Sequence, residues 1–472
     1  MIFNSFHFLV IYPFLFLAYY LIPARFVGTR NLFLLLVSYL LYMNFNAAYA
    51  LILIGVTAVT YFSARFIDNN KPRGKTVLTA MLVLTLVPLL VFKYYDFVCE
   101  TGQSLLALLG IRVELKGLNW AVPVGISFFT FQALGYLWDV WYGRIKAERN
   151  FLHYALFVGF FPSIVSGPIN KASLVLPQIK SMRPYFDYSK AVDGLKLLLW
   201  GMFMKVVVAD RVALYVDTVF SHYDNYSGLS CFVASLLYTT QIYADFAGYS
   251  LMAIGVGKTL GFELTENFRR PYLAYSITDF WRRWHISLST WLKDYVYIPL
   301  GGSRCSKLRN YWNIIVTFLV SGIWHGANWT FVIWGLWHGL FQVVEKATGQ
   351  QKCNYGFLGK VGKIFVTFML VNFVWIFFRM PTLSDACNVM ARIFNPALLG
   401  NLYLPERSNT LFMVMGVIVL MVKDLTDEYC PKSFNLMDNN SVWVRWLTYL
   451  ICIVMIMLTG VFDAGQFIYA NF

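Results

Sequence analysis

Runs of apolar residues of membrane-crossing character recur along the whole chain: 6–22, 32–45, 47–62, 77–97, 151–165, 195–208, 232–242, 312–323, 331–344, 364–378, 411–422 and 443–461. A helix that crosses a bilayer takes roughly 20 mostly apolar residues, so the shorter runs predict tilted or re-entrant segments. Lipid offers backbone N–H and C=O groups no partner, and helices satisfy those groups internally. The expectation is an all-α polytopic membrane protein with about 10–12 crossings plus re-entrant or interfacial helices. Composition agrees: 58% of residues are hydrophobic and 13% charged, against about 25% charged in soluble domains.

The net charge of +14 would suit nucleic acid. The basic residues instead punctuate loops between apolar runs, which makes the bilayer the expected partner and excludes nucleic acid. Arg25 and Arg30 mark one loop, and Arg65, Lys71, Arg73 and Lys75 another, while the 44–46 turn between them has none. This alternation predicts cytoplasmic basic loops and an extracytoplasmic N-terminus. The first run lacks a basic start and an A-x-A site, so it reads as a span rather than a cleaved leader. The cysteines, Cys99, Cys231, Cys305, Cys353, Cys387, Cys430 and Cys452, form no C-x-x-C pair. Neither a disulfide framework nor a cysteine zinc site is expected.

The chain reads as a single membrane domain over 1–472. Plain spans fill 1–98, a polar external segment follows at 99–120, and simpler spans return over 361–472 around a polar stretch at 381–409. Between them, 121–345 mixes Gly, Pro, Asp, Gln, Arg and His into apolar runs. Polar groups at membrane depth persist only inside protein or along a cavity, so the working core is expected there.

Two histidines stand out. His285 lies in FWRRWHISLSTW, 280–291. A helix through it places Trp281, Trp284, Leu288 and Trp291 on one face. Arg282, Arg283 and Lys293 then reach headgroups or carboxylates, and Pro299, Gly301 and Gly302 end the helix. An interfacial belt helix accounts for the tryptophans and arginines but not for His285. His325 lies in SGIWHGANW, 321–329, between two apolar helices and beside Asn328. An ionisable residue there is a functional hypothesis by default, and histidine is the usual base near neutral pH. The bland alternative is a histidine hydrogen-bonded between helices. His338 falls about 220° round a regular helix from His325 and reads as structural. His7, His153 and His222 receive no role.

Further polar residues lie in other apolar stretches: Gln132 and Asp139 within 123–143, and Gln241 and Asp245 in QIYADFAGYS, 241–250. Either aspartate is expected to pair with Arg269, Arg270, Arg282 or Arg283 rather than act in chemistry. FPSIVSGPI, 161–169, suggests a re-entrant turn, and GVGKTLG, 255–261, reads as a loop. No Walker motif, GxSxG elbow or HExxH is present. No catalytic metal is expected, because no two histidines share a helical turn. Two histidines in aromatic polar patches suit acyl transfer to a hydroxyl. That reaction needs a base and donors for the developing oxyanion, and neither metal nor ATP when the donor is a thioester.

FWRRWHISLSTWLKDYVYIPLGGSR, 280–304, and SGIWHGANWTFVIWGLWHGL, 321–340, resemble the signature of the membrane-bound O-acyltransferases (MBOAT family). PVGISFFTFQ at 123–132, FPSIVSGPI at 161–169, QIYADFAGYS at 241–250, NFRRPYLAYSITDFW at 267–281 and WIFFR at 375–379 support the likeness, as does the N-terminal run. The similar branch is the bacterial one that holds the alginate O-acetyltransferase membrane subunit and the teichoic-acid D-alanyl transferase subunit. The resemblance implies helices around a central funnel, with His325 at the catalytic position and His285 at the second. Trp281, Trp284, Trp291 and Trp324 are expected to line or support the tunnel. Arg283, Ser287, Asp294 and Asn328 join them, together with Gln132, Gln241 and Asp245.

The implied task is transfer of an acyl group from a cytoplasmic thioester, acetyl-CoA or an acyl-carrier protein, across the bacterial inner membrane. No tightly bound cofactor is expected. The final acceptor would be an exported polysaccharide, reached through an extracytoplasmic acetyltransferase or esterase-like partner. Acetyl is preferred because 267–304 reads closer to the alginate-type members. D-alanyl transfer to teichoic acid is the alternative, and a transporter or flippase without chemistry a second.

Overall fold

The computed structural model describes residues 3, 5–69, 74–182, 186–350, 356–430 and 436–462. Lys71, Arg73 and Cys353 lie outside them. All regular structure among the described residues is helical. The first group comprises α1 (Phe6–Leu21), α2 (Val27–Met43), α3 (Ala47–Asn69), α4 (Gly74–Leu89) and α5 (Tyr95–Leu108). Then come α6 (Ile126–Trp141), α7 (Phe151–Gly159), α8 (Phe161–Ile164), α9 (Ala172–Lys180), α10 (Tyr188–Met202), α11 (Asp210–Ser221) and α12 (Gly228–Thr259). The remainder are α13 (Ile277–Arg283), α14 (Ile286–Leu292), α15 (Lys307–His325), α16 (Trp329–Ala347), α17 (Phe357–Arg379), α18 (Leu383–Phe394), α19 (Arg407–Tyr429) and α20 (Val442–Thr459).

Among the described residues five helices, Ala47–Asn69, Lys75–Leu108, Phe357–Arg379, Arg407–Tyr429 and Val442–Thr459, are long and apolar enough to cross a bilayer, and α1 and α2 are shorter apolar helices. The chain is a polytopic membrane protein. Helices α4 and α5 form one rod. Pro88 cannot donate to its ladder, and just beyond it the rod widens into a π-helical turn over Leu90–Tyr94.

Several local expectations change. GVGKTLG is not a loop: its first five residues finish the 32-residue α12. Glycine survives there because α10 packs against it at backbone distance. A Cβ on Gly255 would stand 2.5 Å from Gly194 O, and one on Gly201 would stand 2.5 Å from Gly248 O. Small residues at such crossings permit close helix packing in lipid. The polar 99–120 segment, expected as a loop with room for a short helix, carries the end of helix α5 and then no regular structure over 111–120. FPSIVSGPI does turn within the protein: α8 is one short turn, and 160–169 is buried throughout.

The buried charges pair differently from the expectation. Asp245 meets Lys205 at 2.6 Å, and Lys205 also meets Asp210 at 2.7 Å. Asp139 meets Arg144 at 2.9 Å. The arginines expected for these roles serve elsewhere. Arg283 bridges Asp279 at 3.0 Å and Glu428 at 2.8 Å, and Arg270 joins Glu428 at 2.6 Å. This network ties α13 to α19.

Candidate active site

His285 and His325 come from separate elements and meet in the protein interior, with ring centroids 6.3 Å apart. Both are buried. The continuous helix expected through 280–291 does not form. Helix α13 stops at Arg283, Trp284 is extended, and His285 is left-handed at φ 44°. A non-glycine residue in that region costs free energy and persists only where its surroundings hold it. Here the 267–269 segment lies against the break. Arg269 N–H donates to Arg283 O at 2.9 Å, and Ile286 N–H to Asn267 O at 2.9 Å.

The break separates the tryptophans that a single helix would have aligned. Trp281 packs on α16 and donates from Nε1 to His338 Nδ1 at 3.3 Å. Trp284 lies 5.0 Å from Trp375. Trp291 stacks on Phe131 at 4.0 Å and donates to Phe131 O at 2.8 Å. The N-terminus of α13 is held by Glu345, whose carboxylate accepts from the Ile277 and Thr278 amides at 2.9 Å each.

Asn267 sets the tautomer of His285. Its Oδ1 accepts from Ser287 N–H at 3.2 Å and from Ser287 Oγ–H at 2.9 Å. A backbone N–H can only donate, so the atom facing it is the oxygen. His285 Nδ1 lies 3.0 Å from that oxygen and must carry the proton between them. Asn267 Nδ2 donates to Ser250 Oγ at 3.0 Å. His285 Nε2 remains as the lone-pair atom, buried and without a hydrogen-bond partner among the described residues.

His325 ends α15, and Gly326 is extended after it. A Cβ on Gly326 would fall 2.1 Å from the Phe331 ring, so only glycine leaves room for this turn. Trp324, Trp334 and Phe378 surround the imidazole at 4.9, 5.0 and 5.2 Å. His338 stands closer to this site than a regular helix allows, because the chain breaks between α15 and α16. Trp334 contacts both rings, at 5.0 Å from His325 and 4.8 Å from His338.

The remaining expected residues divide. Trp324 lies 5.8 Å from His285 and belongs to the site. Ser287 touches it through Asn267. Gln132 Nε2 donates to Phe157 O, and its Oε1 accepts from Asn170 N–H. Asp294 is ion-paired with Lys171, and Arg283 is committed to its carboxylates. Asn328 does not surround His325: it caps α16 and donates to Pro381 O at 2.8 Å. Gln241 is buried on α12, one turn from Asp245. Asn267, Lys93, Trp334 and Phe378 went unrecognised. Lys93 carried a readable signal, an ionisable residue inside an apolar run; Asn267 carried none beyond its place in the NFRRPY segment.

Cavities approach the pair from two faces. A cleft of about 610 Å³ is lined by Lys196, Lys258, Arg269, Tyr243, Ser250 and Asn267, among others. It lies on the face of residues 20–30, since Tyr20 donates to Thr259 O at 2.7 Å beside it. A neighbouring cavity of about 240 Å³ is lined by Gln132, Lys171, Ser287 and Trp291. On the face of the 44–46 turn, a pocket of about 20 Å³ is lined by His325, Trp324, Lys93 and 122–128. Tyr42 and Tyr49 place it there through hydrogen bonds to Val124 O and Ala121 O, at 3.0 and 2.7 Å. These faces lie at opposite ends of α2, whose 17 residues span about 25 Å.

Residues 142–380 match the model of MBOAT, the membrane-bound O-acyltransferase family. The chain is 36% identical over 426 residues to the probable alginate O-acetylase AlgI of Pseudomonas syringae pv. tomato, covering 89% of the chain and 80% of that relative. The chain belongs to the membrane-bound O-acyltransferase family. It is also 33% identical to the peptidoglycan O-acetyltransferase of Helicobacter pylori over 486 residues, 97% of the chain and 88% of the relative. The teichoic acid D-alanyltransferase of Bacillus subtilis is 24% identical over 291 residues, 60% of the chain and 71% of the relative.

The chain is thus a membrane O-acyltransferase whose two buried histidines, His285 and His325, lie together in its interior. The tautomer assignment has a direct check. Asn267→Leu is expected to lower the acyl-transfer rate roughly 10-fold, less than loss of the proton acceptor itself, because it frees the His285 ring rather than removing His325. Asn267→Asp keeps the accepting oxygen and is expected to retain most of the rate. Wild-type turnover in Asn267→Leu would remove Asn267 from the site.

Proposed function

We propose that this protein takes an acetyl group from a cytoplasmic thioester and passes it through the membrane to a hydroxyl on the far side. The supporting observation is the placement of the two histidines. His285 is linked through Asn267 to the large cleft on the face of the basic 20–30 segment, and His325 lines the pocket on the opposite face. Basic loops favour the cytoplasm, so the cleft is the donor side and the N-terminus is extracytoplasmic. The membrane is the bacterial inner membrane. Acetyl-CoA suits the cleft: Lys196, Lys258 and Arg269 line it and already face carboxylates, so donor phosphates would exchange into existing ion pairs.

His325 accepts the hydroxyl proton as the acceptor oxygen bonds to the acyl carbon. The carbonyl oxygen bears the negative charge until the C–S bond breaks, and the thiol leaves with that proton. The aromatic wall around His325 excludes water, which would otherwise hydrolyse the thioester. The final acceptor is an exported polysaccharide, reached through an extracytoplasmic acetyltransferase or esterase-like partner. Acetyl is favoured over D-alanyl because the two O-acetylating relatives match more of this chain at higher identity.

The test is reconstitution in vesicles with radiolabelled acetyl-CoA on the side of the basic loops. The expected result is release of CoA and appearance of label on a polysaccharide or partner protein supplied at the opposite side. Label passing only from a D-alanyl carrier protein would select teichoic-acid chemistry. Movement of an unmodified solute without acyl transfer would overturn both.

A further inference from the structure

Lys93 is buried on the π-helical turn of the α4–α5 rod. Its ammonium spends its three hydrogens on Trp324 O at 2.7 Å, His325 O at 3.1 Å and Ser127 Oγ at 3.2 Å. No carboxylate lies within ion-pair distance among the described residues. A cation buried without a counter-ion is costly in a protein interior and more so in a membrane. Carbonyls at the C-terminal end of α15 offset part of that cost through the negative end of the helix dipole. The same ammonium lines the pocket that His325 lines, on the face opposite the large cleft. π-turns in α-helices cluster at functional positions, and this one places Lys93 against the backbone carbonyls of Trp324 and His325.

We propose that Lys93 positions His325 and, as the ammonium, supplies a positive charge that stabilises the oxyanion of acyl transfer. This rests on the acyl-transfer reading above. As the acceptor oxygen bonds to the acyl carbon and its proton passes to His325, the carbonyl electron pair moves onto oxygen. That oxyanion persists until the C–S bond breaks and the carbonyl re-forms. A preorganised cation at the pocket favours the charged state over the neutral thioester without reorganising at the moment of reaction. The two carbonyls it grips belong to Trp324 and His325, so the same group fixes where the base stands.

The full chain, purified in detergent, is assayed for acyl transfer from a thioester donor in three variants. Lys93→Gln keeps N–H donors for the carbonyls and removes the charge. It is expected to lose roughly 100-fold in kcat with little change in donor KM, the scale on which preorganised electrostatic stabilisation of a developing oxyanion acts. Lys93→Met removes both and is expected to lose more. Lys93→Arg keeps the charge and is expected to recover a measurable part of the rate. Turnover in Lys93→Gln at half the wild-type kcat or above overturns the proposal. So does failure of both neutral variants to accumulate as folded protein while Lys93→Arg accumulates but stays inactive, since the lysine would then be a helix cap. Loss of acyl transfer in the wild-type protein itself would instead refute the acyl-transfer reading.

Discussion

His325→Ala is expected to abolish polysaccharide O-acylation while the protein still accumulates in the membrane. The imidazole sits within a cage of Trp324, Trp334 and Phe378 and closes the distance to His285. Loss of a positioned proton acceptor costs about 10²–10⁴-fold. The variant leaves the alanine-sized remainder of α15 intact, and Gly326 still makes the turn that follows. Acylation of the exported polymer, set against membrane abundance of the variant, is the measurement. Normal acylation at normal abundance would refute the assignment. His285→Ala is expected to fall less far, since His285 stands behind the pocket on the opposite face, which His325, Trp324 and Phe128 line.

A second large effect concerns stability. Lys205→Met is expected to destabilise the folded protein by about 3–5 kcal/mol, the cost of breaking a buried pair and stranding its partner. Lys205 sits on the π-helical turn between α10 and α11 and faces Asp210 and Asp245, all three side chains nearly inaccessible. Removing the lysine leaves two carboxylates together in an apolar interior. Neutralising both partners with Asp210→Asn and Asp245→Asn in the same chain is expected to recover much of the loss, because the stranded charges disappear with the cation. Thermal unfolding of the detergent-solubilised variants reads both outcomes. An unchanged midpoint in Lys205→Met alone would show that water or lipid headgroups reach the triad.

The histidines were legible because charged and polar groups inside hydrocarbon are expensive, and such groups persist where they are used. By the same rule Lys93 and Lys205 could have been read from their apolar runs. Partner choice was not legible. Asp245 has several arginines at plausible spacing and instead takes a lysine some 40 residues upstream, since α10 and α12 cross at glycine contacts that bring that stretch alongside. His338 was placed by the geometry of an unbroken helix, and the helix breaks.

Composition and the spacing of apolar runs required an all-helical membrane protein, because lipid leaves a backbone no other way to pair its polar groups. They also marked His325 and His285 as costly residues in need of a reason. Their pairing depended on two interruptions of helix: one at Gly326, which the glycine and the Asn328 cap favour locally, and one at His285, which local preference does not call for. FWRRWHISLSTW contains no glycine or proline and would continue as helix by itself. The 267–269 segment turns it into two short helices, by exchanging backbone hydrogen bonds across the break and gripping His285 through Asn267. Such bonds join residues whose proximity exists only once the chain has folded, so no reading of neighbours along the chain contains them.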